Sequence, residues 1–245
     1  MKIFPLSEGA FTIDKTKIFV PFKLNTDDLQ ARPVGSLLVE VQPFVLVTSK
    51  DIILIDTGLG FAKNNQLQIH QNLLAVGISP EKITKVLISH LHKDHAGGIS
   101  KKDRFGNYTL AFENATYYIQ KAEFDFAMQT GFPSYMSEEL SVLENHPQVY
   151  WLSGNEVIDD YISCEITSAH SKFHQGFWIK ENDEIIFFGG DDAPQLQQMK
   201  TKFVAKYDYD GKKCMNLRKE WWEKGQLEHW KFLFYHDIKT PVWSF

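Results

Sequence analysis

Three histidines and an aspartate within six residues, His90, His92, Asp94 and His95, form the densest chemistry in this sequence. They stand in Ser89-His90-Leu91-His92-Lys93-Asp94-His95-Ala96-Gly97-Gly98, an HxHxDH pattern. At the chain's own His and Asp frequencies, a chance match is on the order of one in a thousand. In an extended segment, residues two apart point their side chains the same way, so His90 and His92 can grip one ion together. Asp94 and His95 follow where the chain is expected to turn, and can address a second ion nearby. Gly97 and Gly98 then let the backbone turn tightly without a Cβ clash. Imidazole and carboxylate without thiolate suit zinc, and iron or manganese nearly as well.

Such ligands need rigid elements to aim them. Apolar runs of strand length recur at Leu37–Val41, Phe44–Val47, Ile52–Ile55, Val86–Ile88, Phe177–Ile179, Ile185–Phe188 and Phe232–Tyr235. Several are too continuous for a strand with one wet face, so they read as strands covered on both sides. Helical spacing falls between them: over 64–76, with Ile69, Leu73 and Val76 on one face; over Gln120–Met128; from a Ser137 cap; and over Leu217–Lys224. Early strands followed by strands alternating with helices indicate an α/β layered sandwich. Several apolar runs end shortly before a candidate polar group: Asp56, His90, Asp191 and His236. Polar groups at strand ends converge on one edge of a sheet, where a site can form.

The 245 residues carry no repeat or linker-like tract and read as one domain over residues 1–245. With 26 Lys and Arg against 31 Asp and Glu the formal charge is -5, and no concentrated basic face is present, which argues against a nucleic-acid binder. No run approaches the roughly 18 apolar residues of a membrane span. The start MKIFPLSEGAF meets Pro5 and Glu8 too soon for a signal-peptide core. Two cysteines, Cys164 and Cys214, without a CxxC pattern, fit small buried hydrophobes in a cytoplasmic protein.

The HxHxDHxGG segment, with Ile55-Asp56-Thr57-Gly58 upstream, resembles the metallo-β-lactamase-fold hydrolase superfamily. Further matches are Ala169-His170-Ser171-Lys172-Phe173-His174-Gln175, Phe187-Phe188-Gly189-Gly190-Asp191 and Leu233-Phe234-Tyr235-His236-Asp237. The resemblance spans residues from about 50 to 237. It implies a four-layer αββα sandwich with a metal site at one edge. Carried over by position, His90, His92 and His174 would bind one zinc ion, and Asp94, His95 and His236 a second, with Asp191 bridging. His170 competes with His174, and the loop's closing His followed by Gln175 favours His174. Asp192 competes with Asp191, and the Gly-Asp junction favours Asp191. The family's usual GHTPGH loop reads AHSKFH here. Asp56 is either the supporting carboxylate of the family or a turn residue. His70, His146 and His229 match nothing.

Within that family the likeness is to the lactonase-like branch, which includes N-acyl homoserine lactone hydrolases. It implies hydrolysis of a lactone or other carboxylic ester in a small-molecule substrate by a hydroxide bridging the two metals, with Asp94 orienting the nucleophile and passing a proton to the leaving group. The alternatives are an iron persulfide-dioxygenase-like oxidoreductase, and a thioesterase or phosphodiesterase of the same fold. Many homoserine-lactone hydrolases carry a tyrosine shortly after the bridging aspartate, whereas Pro194 stands there in this chain. The aromatic stretches Phe105–Phe112, Phe124–Tyr135 and Trp221-Trp222 either line an acyl pocket or pack the core. Relatives are often homodimers, and the apolar ending Pro241–Phe245 could meet a partner or fold onto its own domain.

Overall fold

Alternation of apolar side chains sorts the strands into two sheets with a shared interior. The computed structural model describes residues 1–64 and 66–245. One six-stranded sheet runs in the order Lys2–Pro5, Phe44–Val47, Ile52–Ile55, Lys85–Leu87, Thr116–Gln120, Val149–Leu152. The other runs Glu156–Ile158, Ile162–Ile166, Gln175–Glu181, Glu184–Phe188, Lys231–Leu233, Val242–Ser244. Leu46, Ile53, Ile55 and Leu87 face Phe177, Ile179, Ile186 and Phe188 between the sheets. The alternate residues Val45, Leu54 and Val86 point outward into a helix-covered core. Trp178, Phe187 and Phe232 do the same on the far side, beneath Trp221 of the helix Gly211–Leu227. Each central strand is thus apolar on both faces, as the continuous runs require. The result is the αββα order of layers.

The helices form where apolar spacing predicts them, with shifted ends. The first is Gln68–Ala75, burying Ile69 and Leu73. Asn65, within the expected span, lies outside the described residues. Lys121–Thr130 buries Phe124 and Ala127. Ser137 does not cap its helix. It is the first residue of a single turn, Ser137–Leu140, whose preceding residue Met136 makes no side-chain cap. The last helix is longer than Leu217–Lys224 because Asp210 caps it, accepting from the Lys213 N–H at 2.9 Å. Cys214, Arg218, Trp221 and Gly225 then lie buried along one face.

The chain ending is a strand of its own sheet. Val242–Ser244 pairs antiparallel with Lys231–Leu233, and Phe245 packs its ring 4.7 Å from that of Trp222. Both cysteines are buried and unpaired with each other. Among the described residues no helix is long and apolar enough to cross a membrane. A smaller sheet of Val20–Pro21, Gly9–Ile13 and Leu37–Val41 lies near the edge where the HxHxDH segment emerges. That placement sets one wall of the site.

Candidate metal centre

The Lys85–Leu87 strand delivers Ser89 and His90 to the sheet edge, and His92 begins the short helix Lys93–Ala96 that carries Asp94 and His95. Helical turning puts Asp94 and His95 on a different bearing from His90 and His92. Gly98 is required here for close approach: a Cβ would lie 2.2 Å from the Thr57 carbonyl oxygen. Tyr235 fixes the turn from the second sheet. Its ring stacks on His95 at 4.0 Å, and its hydroxyl donates to the Asp94 carbonyl at 2.6 Å.

Asp56 fills both roles open to it. Its φ of 55° places it in the left-handed region that a tight turn needs. Its buried carboxylate accepts from the Ser89 N–H at 2.8 Å and the Ser89 hydroxyl at 2.7 Å, and lies 2.8 Å from His95 Nδ1. One carboxylate therefore ties the turn to the strand end and sets the rotation of the His95 ring.

The same logic fixes the other rings. His236 Nδ1 donates to the Glu40 carbonyl at 2.6 Å, and His170 Nδ1 donates to the Asp208 carboxylate at 2.9 Å. The Ser89 hydroxyl spends its proton on Asp56, so it accepts from His90 Nδ1 at 3.1 Å. In neutral rings so held, Nε2 of His90, His95, His170 and His236 bears a lone pair. These nitrogens converge. His90 Nε2 lies 2.9 Å from His92 Nδ1, and His170 Nε2 lies 3.3 Å from that same atom. Ring nitrogens converging in this way can share one cation, which would accept a lone pair from each.

Asp191 stands across the gap. Its Oδ1 lies 3.2 Å from His95 Nε2 and 3.0 Å from His236 Nε2, while its Oδ2 lies 3.3 Å from His170 Nε2. Among the described residues, three sets of candidate ligand atoms fall within 4.8 Å: His90–His92–His170, His90–His95–Asp191 and Asp94–His95–His236. His95 Nε2 and Asp191 Oδ1 are buried without a hydrogen-bond partner. Orphaned polar atoms of this kind are costly inside a protein, and here they fit a metal-ligand set.

One expectation is corrected. His170, not His174, completes the set with His90 and His92. His174 has both nitrogens engaged: Nδ1 lies 2.9 Å from Asp192 Oδ2, and Nε2 accepts from the Asp191 N–H at 3.2 Å. It props the Asp191 turn. Gly190, with φ 50°, permits this, since a Cβ there would lie 2.5 Å from His174 Nε2. Asp192 points away from the set, accepting from the His170 N–H at 2.6 Å. His70, His146 and His229 enter none of the ligand groups.

The charges are mutually dependent. Burial, with the neighbouring imidazoles, holds the pKa values of His90 and His92 well below the usual histidine range. Burial also opposes the charged forms of His95, His170 and His236. Asp191 outweighs it, with Asp94 helping at His95 and His236 and Asp208 at His170, and all three are raised. Burial would raise Asp191, but His236, His95 and His170 pull it well below the usual carboxylate range. Protons on those Nε2 atoms supply the positive charge that a bound cation would supply instead.

A cavity of about 560 Å³ opens beside these ligands. Its walls come from Ile13, Phe19 and Val39 on one side and Phe203 and Tyr207 on another. The aromatic stretches singled out in the sequence mostly pack elsewhere: Phe112 and Phe124 in one core and Trp221 in another. Tyr207 and Asp208 carry no local signal in the sequence. Their loop has no apolar periodicity, and only folding brings it to His170.

Residues 38–191 match the family described as the metallo-beta-lactamase superfamily. The chain is 26% identical over 117 residues to the N-acyl homoserine lactonase AttM of Azorhizobium caulinodans, an alignment taking in 43% of this chain and 39% of that protein. It is 26% identical over 226 residues to an N-acyl homoserine lactonase of Bacillus cereus, covering 84% of each. Among solved structures, a probable metal-dependent hydrolase from Staphylococcus aureus superposes with a TM-score of 0.78 at 21% identity, covering 99% of this chain and 91% of that one. The dizinc quorum-quenching lactonase AidC superposes with a TM-score of 0.74 at 18% identity, covering 98% and 88%. The extent of the family match, together with a fold shared from end to end, means that this chain belongs to the metallo-β-lactamase superfamily.

Proposed function

We propose that the protein is a metal-dependent hydrolase of lactones or related carboxylic esters, using two zinc ions. The observation that carries this reading is Asp191, whose two oxygens face different histidines of a buried set opening onto a largely apolar cavity. His90, His92 and His170 would hold one ion, and Asp94, His95 and His236 the other, with Asp191 between them. Two divalent cations held there would supply a Lewis acid for a carbonyl oxygen and acidify water. Similarity to named lactonases supports the ester class, and the separate Asp94–His95–His236 group supports two metals over a single-iron oxygenase.

The chain's own groups do the rest. Asp94 lines the cavity, where its carboxylate takes the proton of the attacking water and returns it to the leaving oxygen. Asp56, Asp208 and the Glu40 carbonyl keep their histidines aimed during turnover. Tyr207 offers a phenol from the cavity wall, in place of the tyrosine missing near Pro194. Burial and the nearby Asp191 and Asp208 raise its pKa, so it stays a donor. The apolar wall excludes water from the acyl chain.

The test is metal content with turnover of an acyl lactone, a simple ester, a thioester and a β-lactam. Two zinc ions per chain, with lactone or ester hydrolysis abolished by a chelator and restored by zinc, is the expected result. One iron per chain with oxygen consumption would replace the reading with a dioxygenase.

A further inference from the structure

Three lysines line the cavity beside the ligands, Lys15, Lys17 and Lys93, and the hydrolytic reading leaves them unused; Lys17 and Lys93 both contact Ser134. Lys93 sits between His92 and Asp94 in sequence, and Lys17 comes from the loop after the Gly9–Ile13 strand. The Lys93 backbone N–H donates to the Ser134 carbonyl at 2.9 Å, and the Lys17 ammonium donates to the Ser134 hydroxyl. Lys93 is a half-buried residue whose ammonium lies 5.9 Å from the centre of the Phe19 ring and 5.8 Å from that of the exposed Phe132.

Among the described residues neither ammonium forms an ion pair with a carboxylate, although other lysines of the fold do, such as Lys85 with Asp51 and Asp159. Asp14 lines the same wall and makes no ion pair with either lysine; its Oδ1 accepts from the Thr16 N–H and hydroxyl at 2.9 and 2.5 Å. Lys17 repels Lys93 across this wall, while Asp94, on the metal side of the cavity, attracts it. A negatively charged ligand relieves that repulsion. The apolar remainder of the wall suits a short hydrocarbon chain.

We propose that Lys17 and Lys93 are specificity residues that select an anionic substrate: a lactone or ester whose acyl chain ends in a carboxylate, with the chain along Phe19 and Val39 and the carboxylate at the lysine pair. This rests on the hydrolytic reading above and narrows it from neutral acyl lactones to acidic ones. No covalent step is added; the lysines bind and orient.

The experiment compares homoserine lactones acylated with succinyl, adipoyl or suberoyl groups against neutral chains of the same length. At the best length, kcat/KM for the acidic substrate should exceed that for the neutral one by about tenfold, the value of two partly exposed ion pairs. The ratio should fall several-fold in Lys17→Met, fall to near one in Lys17→Met/Lys93→Met, and shrink as salt is added. The ratio is read within each variant, so a general loss of activity cancels. A wild-type ratio of one or below at every length, or a ratio unchanged in the double variant, overturns the proposal. Calorimetric binding of the ring-opened adipoyl- and hexanoyl-homoserines separates the two claims. If no lactone is turned over but the acidic ligand binds preferentially and loses that preference in the double variant, lactone hydrolysis fails and the anion site stands. Equal binding of both ligands by the wild type overturns the anion site.

Discussion

Glu8 offers a sharp test of how the site's supporting loop is built. It leaves the edge of the Gly9–Ile13 strand and points its buried carboxylate at the Asp56–Gly60 turn, where Oε2 accepts from the Leu59 N–H at 2.7 Å. Its Oε1 is buried without a partner. Burial, only partly offset by the Leu59 bond and reinforced by the charge of Asp94, raises its pKa from 4.5 to about 7. A carboxyl group whose folded pKa is raised stays protonated in the native state while the unfolded chain ionises. Stability therefore falls as pH climbs from 4.5 to about 7 and is level above that. At about 1.36 kcal/mol per pH unit, that displacement is worth roughly 3 kcal/mol. Glu8→Gln keeps an acceptor for Leu59 and cannot ionise. In chelator-treated protein the two forms should unfold at similar denaturant concentrations near pH 4, and the variant should be more stable by roughly 3 kcal/mol at pH 8. Parallel stability curves for the two proteins across that range would refute the argument, because a solvated Glu8 would contribute no pH-dependent difference.

Other outcomes follow from the ring-aiming contacts. His170→Ala should remove one metal equivalent and nearly all turnover, whereas His174→Gln should retain metal and lose activity in proportion to displacement of the Asp191 turn; elemental analysis of both variants distinguishes them. Asp208→Asn should weaken metal binding by about 10- to 100-fold, measured by competition with a chelator, since it disturbs the group that orients His170. Tyr207→Phe should lower kcat/KM for lactones by about tenfold at unchanged metal content, consistent with loss of one hydrogen bond in the transition state. Gly190→Ala should destabilise the fold by about 2 kcal/mol or more in thermal unfolding, because its Cβ would sit 2.5 Å from His174 Nε2 at a φ of 50°.

What the sequence determined by itself was local or periodic. Four candidate ligands lie within six residues, so no long-range folding is needed to see them together. The runs Ile52–Ile55 and Ile185–Phe188 are apolar at every position, which only a strand covered on both faces tolerates, and the layered sandwich follows from that. The choice between His170 and His174 was different in kind. Both lie in one short loop, and the decision rests on which ring a distant carboxylate turns toward the gap. Asp208, 38 residues beyond His170, aims that ring inward, while Asp192 holds His174 against the Asp191 turn. The cavity was equally invisible. Phe19, Val39, Ser134 and the loop carrying Phe203 and Tyr207 come from segments far apart in the chain with no shared period. Spacing along a chain reveals neighbours that one element carries. Groups carried by different elements meet only through packing of the sheets, and it was that packing that selected the third histidine and the pocket's charge.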